Sequence, residues 1–124
     1  MKTRLTRFAL LFAVALPLVV LAQQEKLGKV NFPTSCDPKV QAEFERGVAM
    51  LHSYWFGPAR KTFEAVLQQE PKCAMAYWGI AVDYLGNSLA APPQRKNAQA
   101  AWEALEKART IGAGTSASAT GSRP

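Results

Sequence analysis

A chain of 124 residues sets a ceiling of one domain. Its fifteen Lys/Arg against nine Asp/Glu give +6, yet three of the basic residues fall in the first seven positions. The rest are scattered, with no basic cluster interleaved with aromatics, which argues against a nucleic-acid binder.

In chain order, Lys2, Arg4 and Arg7 precede a 14-residue apolar run, 8–21, which is interrupted by Pro17 and followed by Ala22. That is the basic, apolar and small-residue layout of a cleavable secretory signal peptide, 1–22. The run falls short of the roughly 20 residues a spanning helix needs, so no membrane span is expected in the mature chain. Cleavage after Ala22 leaves twelve basic against nine acidic residues, +3. The expected localisation is secreted or periplasmic. The next segment, 23–35, contains Gly28 and Pro33, shows no periodicity, and reads as an extended leader.

The helical domain is expected over 36–113. Asp37 is a suitable N-cap and Pro38 suits the first helical position. Val40, Phe44, Val48, Leu51 and Trp55 then recur at spacings of three and four, one apolar face of a first helix. Gly57-Pro58 ends it and opens a second helix, whose stripe is Ala59, Phe63, Val66 and Leu67 and whose stop is Pro71. A third helix carries Ala74, Tyr77, Trp78, Ala81, Val82 and Leu85 and halts at Gly86. After the loop "GNSLAAPPQRKN", a fourth carries Ala98, Trp102, Leu105 and Ala108, with Gly112 as its C-terminal cap. The end, 114–124, is Gly, Ser, Thr and Ala without an apolar face and reads as a disordered tail. No stretch alternates as a strand does. The chain is all-α, two helical hairpins.

The chemistry-bearing residues are few. His52 is the sole histidine and lacks partners at ligand spacing, so it is assigned a packing or hydrogen-bonding role; no metal and no cofactor is expected. The carboxylates Glu43, Glu45, Glu64, Glu70, Glu103 and Glu106 are spaced as solvated helix faces. The Tyr54-Trp55-Phe56 cluster is read as packing of the first hairpin. Cys36 and Cys73 match neither C-x-x-C redox chemistry nor zinc spacing. Two cysteines in an exported chain invite a disulfide, with two buried thiols as the alternative.

Ala59-x3-Phe63 with Pro71 eight residues on, followed by Tyr77-x2-Ile80-Ala81-x2-Tyr84, resembles the tetratricopeptide pattern. The small residues Gly47 and Ala81 are 34 apart, the period of that repeat. "FERGVAMLHSYW" and "PKCAMAYWGIAV" look like the N-terminal part of longer exported bacterial tetratricopeptide (TPR) proteins. The pattern is imperfect: Glu43 and Arg46 replace an aromatic and a Leu, and the loop before the fourth helix is about eight residues too long for the repeat.

The resemblance implies two TPR-like hairpins of an α-solenoid, with Gly47 and Ala81 permitting close helix approach and Phe63 filling the space between units. It sets the starts of the first and third helices side by side, which would let Cys36 and Cys73 meet as a disulfide. It also implies a non-catalytic protein or peptide interaction module. The partner-binding groove would be lined by Phe44, Val48, Leu51, Met75, Trp78, Val82 and Leu85, an apolar set suited to an apolar peptide or to burial by the leader residues Val30, Phe32 and Pro33. Two repeats are fewer than such stacks need, so the chain is read as a truncated fragment or one that self-associates. The competing reading is the N-terminal helical segment of a larger exported enzyme or cell-envelope factor.

Overall fold

Pro38, Pro58, Gly57 and Gly86 punctuate the chain where the structure begins and ends its helices. The structure, a computed structural model, describes the backbone of residues 26–120 and the side chains of residues 26–112. The expected signal peptide, 1–22, lies outside these residues. Four helices follow in order: α1, Pro38–His52; α2, Pro58–Gln69; α3, Ala74–Leu85; α4, Arg95–Thr120. Among the described residues there is no strand, and no helix is long and apolar enough to cross a membrane. The leader, 26–37, is neither helix nor strand.

Each boundary has a local cause. The Asp37 carboxylate accepts from the Lys39 N–H at 2.9 Å and so satisfies one of the free donors of α1. At the other end, the Trp55 N–H donates to the Met50 carbonyl and the Tyr54 N–H to the Leu51 carbonyl. That pair closes a Schellman turn, with Tyr54 in the left-handed position at φ 57°. Gly57 (φ 79°) then reverses the chain into α2, and Gly86 (φ 63°) ends α3. Because α1 stops at His52, Trp55 leaves the apolar stripe assigned to it and is 42% exposed. Tyr54 is exposed beside it, so the aromatic cluster does not pack the hairpin as expected; only Phe56 is partly buried. His52 is likewise exposed, in the last turn of α1, rather than packed.

The core is one cluster in which Phe44, Met50, Val40, Phe63, Val66 and Cys73 are fully buried. Phe63 is its centre. A Cβ on Gly47 would lie 2.7 Å from the Phe63 ring, and one on Gly79 would lie 2.5 Å from it. The ring is therefore clasped between two helix backbones, α1 and α3. The spacing of 34 points to Ala81 for this role; Ala81 is buried, but Gly79 is the residue whose missing side chain admits the ring. Phe44 stands 5.6 Å away, centroid to centroid.

Consecutive helices pack on each other: α1 on α2, α2 on α3, α3 on α4, and α1 also touches α3. The buried face of α4 differs from the expected one. Ala101 and Ala104 are buried, whereas Trp102 is 61% exposed. Ala98 and Ala108 are partly buried and Leu105 is exposed. Small residues at 101 and 104 let α4 lie close to α3, which turns the indole outward. The helix also continues to Thr120, past the stop expected at Gly112.

Candidate functional site

Residues one turn apart on a helix share a face. On α1 these are Gln41, Phe44 and Glu45; on α3 they are Met75, Trp78 and Val82. The leader lies across the two. Along it, Val30, Phe32, Thr34 and Cys36 are partly buried while Lys29, Asn31, Pro33 and Ser35 are exposed. This two-residue alternation is that of an extended chain on a surface. Neither helical spacing nor strand alternation is expected here from the sequence, yet Val30, Phe32, Thr34 and Cys36 in "VNFPTSC" do alternate with Asn31, Pro33 and Ser35.

Phe32 is the residue most engaged. Its ring stacks on Trp78 at 5.7 Å and meets Phe44 edge-on at 5.6 Å. Its main chain is held at both polar groups. The Phe32 N–H donates to Glu45 Oε1 at 3.0 Å, and the Phe32 carbonyl accepts from Gln41 Nε2 at 2.8 Å. Gln41 Nε2 also donates to Glu45 Oε1 at 2.9 Å, so the two side chains brace each other. Two residues on, the Thr34 N–H and hydroxyl both donate to Gln41 Oε1. The Phe32 N–H, then the Gln41 amide, then the charge of Lys29 hold the Glu45 carboxyl below its ordinary value. An open hollow of about 350 Å³ lies alongside, lined by Asn31, Pro33, Thr34, Cys36, Gln41 and Glu45.

Of the seven residues assigned to a groove, Phe44 and Trp78 meet on Phe32. Phe44, Val48 and Leu51 are buried in the core cluster; Met75, Trp78 and Val82 are partly buried against it; Leu85 is 39% exposed at the end of α3. The polar half of the arrangement, Gln41 and Glu45, was missed. Glu45 reads from sequence as a solvated carboxylate, and nothing in the spacing alone says that a main chain would lie over it.

Cys36 and Cys73 are joined as a disulfide, with Cα atoms 5.1 Å apart. It ties the end of the leader to the start of α3. Glu70 stands beside it, and its Oε2 accepts from the Asp37 N–H at 2.6 Å. The two sulfurs and a Glu70 oxygen fall within 4.8 Å of one another. The sulfurs are bonded to each other, so the group offers no thiolate ligands.

A second polar node lies under the α1–α2 turn. The buried carboxylate of Asp83 accepts from the Gly57 N–H at 2.8 Å and from Arg60 at 3.2 Å. The Arg60 guanidinium also lies 4.6 Å over the Tyr84 ring. Every partner here belongs to the chain itself, so the node fixes the turn to α3.

No protein-family model, curated protein or solved structure matches this chain. The arrangement on α1 and α3 offers a donor and an acceptor to one residue of an extended chain, and two aromatic faces to its side chain. In the structure that residue is Phe32 of the chain's own leader.

Proposed function

We propose that this is an exported, non-catalytic interaction module of the tetratricopeptide type, which grips an extended peptide across α1 and α3. The observation that carries the reading is the capture of Phe32: both main-chain polar groups by Gln41 and Glu45, and the ring by Phe44 and Trp78. Main-chain capture tolerates sequence variety, and the aromatic slot supplies selectivity. The repeat architecture is supported by the order of helix contacts and by Phe63 seated between Gly47 and Gly79. Export is supported by the signal-peptide layout and by the disulfide, which suits an oxidising compartment.

Selection from a peptide library, followed by Trp78→Ala, tests the reading. Selected peptides should carry an aromatic residue and should lose binding to the variant while its far-UV circular dichroism is unchanged. If no selected peptide depends on Trp78 in a folded variant, the surface is not a peptide seat. If the variant does not fold, chemical-shift changes at Gln41 and Glu45 of the unaltered protein on peptide addition decide the same point, and their absence overturns the reading.

A further inference from the structure

We propose that residues 26–34 are a strap occupying the peptide seat in cis, and that a partner segment of the same chemistry displaces it. The proposal rests on the peptide-seat reading and names the partner's class. That class is an extended segment with an apolar residue, an aromatic and a hydroxyl residue at alternate positions, preceded by a basic residue.

The partner's chemistry is read from what the seat grips. Val30 and Phe32 supply the apolar and aromatic positions and are partly buried against the core cluster. Thr34 supplies the hydroxyl, at 2.8 Å from Gln41 Oε1. Lys29 supplies a positive charge whose field reaches Glu45. Asn31 and Pro33 face outward, so those positions are free to vary.

Displacement is argued from three observations. First, the strap belongs to no helix or sheet, and its hydrogen bonds to α1 are only partly buried. Segments held this way open at low free energy compared with the whole domain. Second, the Gln41–Glu45 hydrogen bond does not involve the strap. The polar frame of the seat therefore persists when the strap leaves, and a preorganised frame costs a newcomer little ordering. Third, the hollow beside Pro33 and Thr34 leaves one flank of the seat open, where an incoming chain can begin pairing before the strap is gone. Against these, Cys36 pins the strap two residues after Thr34. A short tether of this kind gives the strap an effective concentration of about millimolar, so a free segment competes poorly.

The test uses a labelled peptide of sequence KLGKVNFPT, residues 26–34, titrated into the whole chain and into its Phe32→Ala variant. The variant's strap lacks its anchor, so the peptide should bind it about tenfold or more tighter than the unaltered chain. The same peptide with alanine at the Phe32 position should bind neither. In a second arm, saturating peptide is added to the unaltered chain, and hydrogen exchange is followed at its own Phe32 and Thr34 amides. Displacement should strip their protection. Equal binding by both chains overturns the strap proposal, as does peptide binding that leaves these amides protected. Should Phe32→Ala not fold, the exchange arm decides alone. If library-selected, Trp78-dependent peptides bind both chains equally well, the strap proposal fails while the seat stands. If no peptide of any origin binds either chain, the seat itself is disproved.

Discussion

Gly79 and Gly112 make opposite predictions for the same substitution. Glycine inside a helix ordinarily costs about 0.5–1 kcal/mol relative to alanine. At Gly112 an added Cβ meets nothing within 4 Å, so Gly112→Ala should stabilise by about that amount. At Gly79 the added Cβ would sit 2.5 Å from the fully buried Phe63 ring. Overpacking of this kind typically costs about 1–3 kcal/mol, which outweighs the helix gain. Denaturant titration of the two variants should show midpoints moving in opposite directions. Glu45 yields a prediction in pH. Its carboxyl is held below the ordinary 4.5 by the Phe32 N–H, then by Gln41 and by the Lys29 charge. A depressed folded-state value means that leader docking gains stability from the carboxylate above pH 4.5 and loses it as pH falls through the lowered value. Protection of the Phe32 amide, corrected for intrinsic exchange, should therefore decline in acid, and Glu45→Gln should flatten that decline. A decline that survives Glu45→Gln would assign it to another group.

Among the elements, α4 separates what spacing can tell from what it cannot. Its residues at 98, 102, 105 and 108 have good helical spacing, yet the helix buries Ala101 and Ala104 and turns Trp102 outward. If that face is right, Trp102→Gln should change stability by less than about 0.5 kcal/mol, whereas Ala101→Leu should cost about 1–3 kcal/mol through overpacking. Thermal unfolding of the two variants ranks them, and the reverse ranking would restore the indole to the core. The existence and order of all four helices were legible, because Pro38, Pro58, Pro71 and Gly86 act locally and the stripes on α1 and α2 are strong. The face of α4 was not, since an alanine-rich helix presents several faces of nearly equal hydrophobicity and the partner chooses among them. The end of α1 was misplaced for a similar reason: the Schellman turn uses Tyr54 in a conformation usually marked by glycine. In the candidate site, Phe44, Trp78 and the cysteines were legible as types, the last two as a pair. Gln41 and Glu45 were hidden, because a side chain's bond to a distant main chain leaves no local pattern.

For the whole molecule, the disulfide is the largest single constraint. It joins residues 37 apart in sequence. On the chain-entropy account, closing such a loop stabilises by about 4 kcal/mol. At about 4–8 °C per kcal/mol for a domain of this size, reduction should lower the melting midpoint by roughly 15 °C or more, and unchanged melting after verified reduction would contradict this. The same bond has a mechanical consequence. A pull between the two ends of the chain passes from the leader through Cys36 to Cys73 and on into α3 and α4. It bypasses α1 and α2, which hang on the bond as a closed side loop. In single-molecule stretching, about 120 Å of contour should be missing from the extended oxidised chain and should return on addition of a reductant. Under tension, then, the helices that carry Gln41, Glu45 and Phe63 are off the line of force, and the leader, α3 and α4 bear it.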